Sequence, residues 1–70
     1  MPEKIQNEVS IHRTKLNLTQ EELAEKVQVS RQTIISLEKG NYTPSILLAL
    51  KIARFFKLPV EKLFTLSYEQ

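Results

Sequence analysis

The sequence predicts an all-α domain of five short helices that ends in one short β-strand. Helix-capping signals recur along the chain, apolar residues recur at helical spacing, and only one residue is glycine. Seventy residues without cysteine predict a single domain, with a core at about residues 6–64 and a tail at 64–70. Because so short a chain builds only a marginal core, we expect a second copy to support it.

Two of the predicted helices meet at a tight corner. Thr19 and Glu22 have the spacing of a capping box, which places the start of the second helix at Gln20. Ser30 is the expected N-cap of the third helix, and Gly40 is the residue expected to end it. Only three or four residues separate the two helices, which is the spacing of a helix-turn-helix corner.

The first helix is predicted at about residues 6–15. Its inner face is expected to consist of Val9, Leu16 and His12. A partly buried structural role is favoured for this histidine over a ligand role. Asn17 tolerates a positive φ and is expected to end the helix.

A fourth helix is predicted to begin after Pro44, with Ser45 as its cap. Its buried stripe is expected to consist of Ile46, Ala49, Leu50, Ala53 and Phe56. Three further apolar residues widen the stripe beyond what one core face needs, and these are Leu48, Ile52 and Phe55. Pro59 is expected in the first turn of a fifth helix.

The end of the chain changes from helical to strand patterning. Phe64, Leu66 and Tyr68 alternate with polar residues, which predicts a strand over residues 64–68. A strand needs a partner, and no other segment of the chain is predicted to form a strand. The same strand of a second subunit is therefore the predicted partner.

The residue types exclude most catalytic sites. The chain has one histidine, no cysteine and no aspartate, so it lacks the residues for a cysteine–histidine pair, a catalytic triad or a multi-histidine zinc site. We therefore expect no enzyme activity, no cofactor, no metal and no small-molecule ligand. The longest apolar run, residues 46–50, is far shorter than the roughly 20 residues that span a bilayer, so we expect a cytoplasmic protein without a membrane partner.

Positive charge is concentrated in the middle of the chain. Residues 30–57 hold five bases and one acid, whereas the segments on either side each have one more acid than bases. Within this stretch the predicted third helix exposes Arg31, Gln32 and Thr33 at its N-terminal end. Arginine can pair with guanine and glutamine with adenine, and a threonine methyl group can contact thymine. From composition alone, an ordinary solvated helix face is as plausible as a surface that reads bases.

Five motifs occur in this order along the chain: TQEELA at 19–24, VSRQTI at 29–34, EKG at 38–40, PS at 44–45 and LKIA at 50–53. With them the chain resembles the Cro and phage-repressor (XRE) family of helix-turn-helix DNA-binding domains, over roughly residues 9–64. It is most similar to small stand-alone regulators of the cytolysin repressor type, which have a short C-terminal strand and no separate ligand-binding domain. The resemblance implies a lambda-repressor-like fold and double-stranded DNA as the partner.

The resemblance also implies roles for individual residues. The family positions that reach base edges are matched by Arg31, Gln32 and Ser36, and Thr33 matches a position that contacts either a base or the DNA backbone. The positions that contact phosphates are matched by Gln20, Lys39, Asn41 and Tyr42. Arg13 and Glu38 match a family pair that forms an internal salt bridge, so both are assigned to structure. Gln28 departs from the family, which usually has glycine in this turn, and a positive φ there would cost on the order of 1 kcal/mol.

Together these features predict a homodimeric, sequence-specific transcription regulator, most simply a repressor. Its third helix, at about residues 31–38, is expected in the major groove of a pseudo-palindromic operator. The dimer face is expected to consist of Leu48, Ile52, Phe55, Pro59, Phe64, Leu66 and Tyr68. The alternative is a protein-interaction module or antitoxin-like partner, in which the apolar patch binds another protein and DNA binding is secondary or absent.

Overall fold

The chain runs from a short strand through five helices to a second strand. The computed structural model describes residues 3–68, so the last two residues of the predicted tail lie outside the described residues. The elements are β1 Glu3–Asn7, α1 Val9–Lys15, α2 Gln20–Val27, α3 Arg31–Lys39, α4 Ile46–Phe56, α5 Val60–Leu63 and β2 Phe64–Tyr68. The mostly helical class and the five helices are confirmed, and the predicted strand is one of two.

Three helices begin at polar caps that the sequence indicates. The Thr19 hydroxyl accepts the backbone N–H of Glu22 at 3.0 Å, and the Glu22 carboxylate accepts the backbone N–H of Thr19 at 2.8 Å. The hydroxyls of Ser30 and Ser45 each accept a first-turn N–H, at 3.2 Å in α3 and 3.1 Å in α4. These bonds satisfy N–H groups that have no acceptor within the helix.

Replacing Thr19 with alanine is expected to lower the free energy of unfolding by about 1 kcal/mol, because the first turn of α2 loses its acceptor. Urea unfolding followed by circular dichroism measures the change. Thr43→Ala is the matched control, since Thr43 is exposed between α3 and α4. Equal losses in the two variants would contradict a specific contribution of the cap.

The corner between α2 and α3 depends on one left-handed residue. Gln28 ends α2 at φ 66° and ψ 44°, and the next backbone N–H, that of Val29, donates to the Ala24 carbonyl at 3.0 Å. The positive φ is thus present at a position occupied by glutamine, where it costs on the order of 1 kcal/mol. The Gln28 Oε1 accepts Lys51 Nζ at 2.9 Å, and this bond ties the corner to α4.

The hydrophobic core draws on all five helices. The buried side chains are Val9, Leu23, Ala24, Val27, Ile34, Leu37, Leu48, Ile52, Ala53 and Leu63. Burial of these apolar groups is the dominant favourable term in folding, and it fixes which face of each helix points inward. Within residues 3–68, the structure has no helix with both the length and the apolar character needed to cross a membrane.

The buried face of α4 is the predicted one only in part, since Ala53 is buried and Phe56 packs against the core. Leu48 and Ile52, expected at a dimer face, are 5% and 0% exposed and belong to the core. Ile46 and Leu50, expected in the core, are 80% and 53% exposed. Because α4 carries apolar residues around most of its circumference, periodicity could not identify the inward stripe. The assignment of Leu48 and Ile52 to a dimer face is therefore wrong.

The start of α1 also differs from the prediction. The helix begins at Val9 and not near residue 6, because the preceding residues form β1. Leu16 follows the last turn and is exposed, whereas Val9 is buried and His12 is half-buried. The face predicted for α1 is thus correct for Val9 and wrong for Leu16.

The partner of the C-terminal strand lies in the same chain. β2 has the predicted bounds and pairs antiparallel with β1, with Glu3 opposite Tyr68 and Asn7 opposite Phe64. The expectation that no other segment forms a strand is wrong. Ile5 is the only apolar residue of β1, so the segment has almost no apolar alternation from which to predict a strand. Pairing of β2 therefore requires no second subunit.

Candidate nucleic-acid interface

α3 exposes polar side chains at its N-terminal end. Arg31 and Gln32 are exposed in the first turn, whereas Ile34 and Leu37 are buried. The buried pair is three residues apart, so it forms one inward stripe and leaves the other side of the helix to solvent. The backbone N–H groups of this end carry partial positive charge. The surface therefore offers donors that suit base edges or phosphate.

Two further residues of α3 that are predicted to contact bases, Thr33 and Ser36, are half-buried. Thr33 Oγ1 lies 3.0 Å from Ser30 Oγ, so this hydroxyl is engaged at the N-cap. Gln32 Nε2 lies 3.5 Å from Ser36 Oγ, at the outer limit of a hydrogen bond. Gln32 and Ser36 thus share one side of α3, and the glutamine amide is held only weakly.

Three of the predicted phosphate contacts lie at the C-terminal end of α3 and in the loop after it, namely Lys39, Asn41 and Tyr42. Gly40 ends the helix at φ 82°, and the Asn41 N–H donates to the Ser36 carbonyl at 3.0 Å. Lys39 and Asn41 are exposed at this end of the helix. Tyr42 is also exposed and lines a cleft of about 170 Å³ beside the corner between α2 and α3. Lys39 and Asn41 therefore lie at the opposite end of α3 from Arg31.

A part-buried polar cluster connects α3 to the first two helices and centres on Glu38, whose side chain is 6% exposed. Its carboxylate accepts Arg13 Nε at 2.8 Å and Arg13 Nη2 at 3.1 Å. Arg13 Nη1 also donates to the Leu18 carbonyl at 2.7 Å. Because the arginine contacts both carboxylate oxygens, the pair is charge-assisted and geometrically specific. It fixes α3 against α1.

Gln20 adds α2 to this cluster. Its Nε2 donates to Glu38 Oε1 at 3.0 Å, so the first residue of α2 supports the last turn of α3. An amide nitrogen carries two hydrogens, and one of them is used here. Gln20 thus has a structural contact with α3. The second hydrogen of its amide can be donated to another acceptor.

Asn7 is a structural residue that the sequence prediction missed. Its Nδ2 donates to the Leu37 carbonyl at 2.9 Å, and its Oδ1 accepts the backbone N–H of Val9 at 3.1 Å. An asparagine whose side chain accepts the backbone N–H two residues on forms an Asx-turn, which can lead into a helix. Placing Asn7 inside α1 concealed this role. The side chain connects the end of β1, the start of α1 and the C-terminal turn of α3.

The residues predicted for a dimer face do not share one environment. Leu48 and Ile52 belong to the core, and Phe55 and Phe64 are half-buried and pack against it. Pro59 is exposed between α4 and α5. Leu66 and Tyr68 are exposed on β2. These side chains therefore do not form the single surface that was predicted.

This chain is similar to known proteins over most of its length. A family model described as helix-turn-helix matches residues 11–63. An uncharacterized helix-turn-helix type transcriptional regulator of Methanocaldococcus jannaschii is 53% identical over 60 residues, which cover 86% of this chain and 91% of that protein. The Bacillus subtilis regulator YgzD, also uncharacterized, is 45% identical over 65 residues, covering 93% and 98%.

A solved structure shows a similar fold. The crystal structure of a candidate DNA-binding protein from Bacteroides fragilis matches with a TM-score of 0.77. The match covers 87% of this chain and 98% of that chain, at 21% sequence identity. At this identity the likeness extends to the fold alone.

Proposed function

This chain belongs to the XRE-type helix-turn-helix family, and from that premise we propose that it is a homodimeric repressor that reads a pseudo-palindromic operator with α3. The observation that carries the proposal is the two-sided character of α3. Arg31 and Gln32 are exposed at its N-terminal end, while Ile34 and Leu37 anchor its other side in the core. The side chains proposed to contact bases thus lie on a helix that is anchored in the core.

Base recognition is assigned to the outer face of α3. Arg31 can donate to both acceptors of a guanine, and Gln32 can donate to and accept from an adenine. Ser36 lies on the same side as Gln32 and can contact the same or the next base. Thr33 is tied to Ser30, so its methyl group is the more available part for a thymine contact.

Phosphate contacts are assigned to the C-terminal end of α3 and the loop after it. Gln20 is hydrogen-bonded to Glu38 in the last turn of α3, so it would contact a phosphate on the same side as Lys39 and Asn41. Tyr42 of the loop would contact a further phosphate. Such contacts set the orientation of α3 and carry no sequence information directly.

Dimerisation follows from the energetics of recognition. A single module of this size buries roughly 600–1,000 Å² on DNA, which limits its discrimination. Two copies related by a two-fold axis read an inverted repeat whose half-sites lie about one helical turn apart. Occupancy of such a site at a promoter would block transcription, which is the simplest regulatory effect of a small DNA-binding domain.

Lys39→Ala is expected to weaken binding to all duplex sequences evenly, because a phosphate contact is lost and no base contact is. If a dimer neutralises about eight phosphates, the slope of log K against log salt is near −7, and the variant lowers its magnitude by about 2 because both subunits change. Fluorescence anisotropy over a range of salt concentrations measures both quantities. Lys62→Ala on α5 is the matched control, and an equal effect from that change would contradict the assignment.

A further inference from the structure

Ile35 is an apolar residue on the outer side of α3. A helix turns by about 100° per residue, so Ile35 lies about 40° around the helix axis from Arg31 and about 60° from Gln32. The buried residues Ile34 and Leu37 lie about 100° and about 160° away from it. Ile35 therefore belongs to the side of α3 that is proposed to contact bases.

The hydrophobic core does not explain the isoleucine at position 35. Its side chain is half-buried. Within residues 3–68, Ile35 is neither one of the buried core residues nor one of the partly buried apolar residues that pack against them. A β-branched residue is also a poorer helix former than the long polar residues that suit a solvent-facing side. Neither core packing nor helix propensity therefore favours isoleucine here.

The neighbours of Ile35 on the helix surface are polar or charged. At three and four positions along the chain they are Arg31, Gln32, Glu38 and Lys39. The Glu38 side chain is 6% exposed and its carboxylate is already hydrogen-bonded. The other three are exposed donors. An aliphatic side chain thus lies between two proposed base contacts and one proposed phosphate contact.

We propose that Ile35 is a specificity-determining residue that contacts the C5-methyl group of a thymine in the major groove. This inference rests on the proposed recognition of an operator by α3 and adds one base to it. Thymine presents its methyl group at the major-groove edge, where an apolar side chain recognises it. Arg31 and Gln32 select their bases by hydrogen bonds, whereas Ile35 selects thymine by removing two apolar groups from water.

The helix geometry also indicates where this thymine lies in a half-site. Ile35 is about 6 Å farther along the helix axis than Arg31 and about 4.5 Å farther than Gln32. Successive base pairs are about 3.4 Å apart, so the thymine is expected within about two base pairs of the bases that Arg31 and Gln32 contact. Thr33, which carries the other methyl group proposed to contact thymine, lies about 160° around the axis from Ile35. The two residues are therefore expected to contact different bases.

Replacing thymine with deoxyuridine tests the contact, because it removes the methyl group and keeps every hydrogen-bonding group of the base. Each thymine of the operator selected by wild type is replaced in turn, in both half-sites, and affinity is measured by fluorescence anisotropy. One buried methyl group contributes about fourfold per half-site, so one position is expected to cost wild type about fifteenfold. Ile35→Ala is expected to weaken binding to the thymine operator by at least that factor and to be insensitive to deoxyuridine at that position.

Two matched variants control for other effects. Thr33→Ser removes the other methyl group of α3 that is proposed to contact thymine and keeps the hydroxyl that lies 3.0 Å from Ser30 Oγ. It is expected to remain as sensitive as wild type to deoxyuridine at the position assigned to Ile35. Ile11→Ala removes an exposed isoleucine of α1 and is expected to bind the operator as wild type does. Circular dichroism confirms that each variant is folded.

Three outcomes would overturn the inference. Wild type that enriches an operator but is insensitive to deoxyuridine at every position would exclude a methyl contact and leave recognition by Arg31 and Gln32 intact. Sensitivity that persists in Ile35→Ala and disappears in Thr33→Ser would assign the methyl contact to Thr33. Wild type that enriches no operator would overturn the proposed function together with this inference, so the two failures are distinguishable.

Discussion

Glu38→Ala is expected to lower the free energy of unfolding by about 3–5 kcal/mol, because it leaves the guanidinium of Arg13 without its buried carboxylate partner. The substitution also removes the acceptor of Gln20. Since domains of this size have a total stability of only about 5 kcal/mol, a large fraction of the variant should be unfolded at 37 °C. Urea and thermal unfolding followed by circular dichroism measure the loss.

Two controls separate the buried pair from general effects of removing a glutamate. Glu25→Ala changes an exposed glutamate of α2 and is expected to shift stability by less than about 0.5 kcal/mol. A double variant in which Arg13 and Glu38 are both leucine is expected to regain part of the loss, because no unpaired charge is then buried. A single Glu38 variant as stable as Glu25→Ala would contradict the network.

Ile52→Ala is expected to lower the free energy of unfolding by about 2–5 kcal/mol, because it removes a fully buried side chain and leaves a cavity. The measurement is urea unfolding at a protein concentration low enough for the monomer to predominate. Ile11→Ala, at an exposed position of α1, is the control and should cost less than about 1 kcal/mol. Similar losses in the two variants would indicate that Ile52 lies at the surface, as the sequence alone had suggested.

Helix boundaries could be predicted where a local signal was strong. The capping box at Thr19, the cap at Ser30 and the glycine at position 40 each depend on a few adjacent residues, and the structure has a helix end at each of them. Such signals need no knowledge of the rest of the chain. The helix-turn-helix unit was therefore the most predictable part of the fold.

Elements defined by distant contacts were less predictable. The inward face of α4 depends on packing, and apolar residues on nearly every side gave no preference. β1 exists because β2 pairs with it, whereas its own residues are mostly polar. Asn7 likewise acts on the Leu37 carbonyl, thirty positions away. These features follow from tertiary structure and leave little trace in local periodicity.

For the candidate site, the sequence predicts which residues contact DNA, and the structure adds how they are supported. Arg31 and Gln32 are exposed as an interface requires. The connection of Gln20 to Glu38 shows that the last turn of α3 depends on α1 and α2. A loss of stability in that cluster would therefore also reduce the order of α3.

The most direct test of the central claim is selection of binding sites from a random duplex pool, carried out in parallel with wild type and Gln32→Ala. Wild type should enrich an inverted repeat with half-sites about one helical turn apart. The variant should bind that repeat about 1–3 kcal/mol less tightly per half-site and lose preference at one base position of each half-site. Failure of folded, dimeric wild type to enrich any sequence would contradict recognition by α3 and favour the protein-interaction alternative.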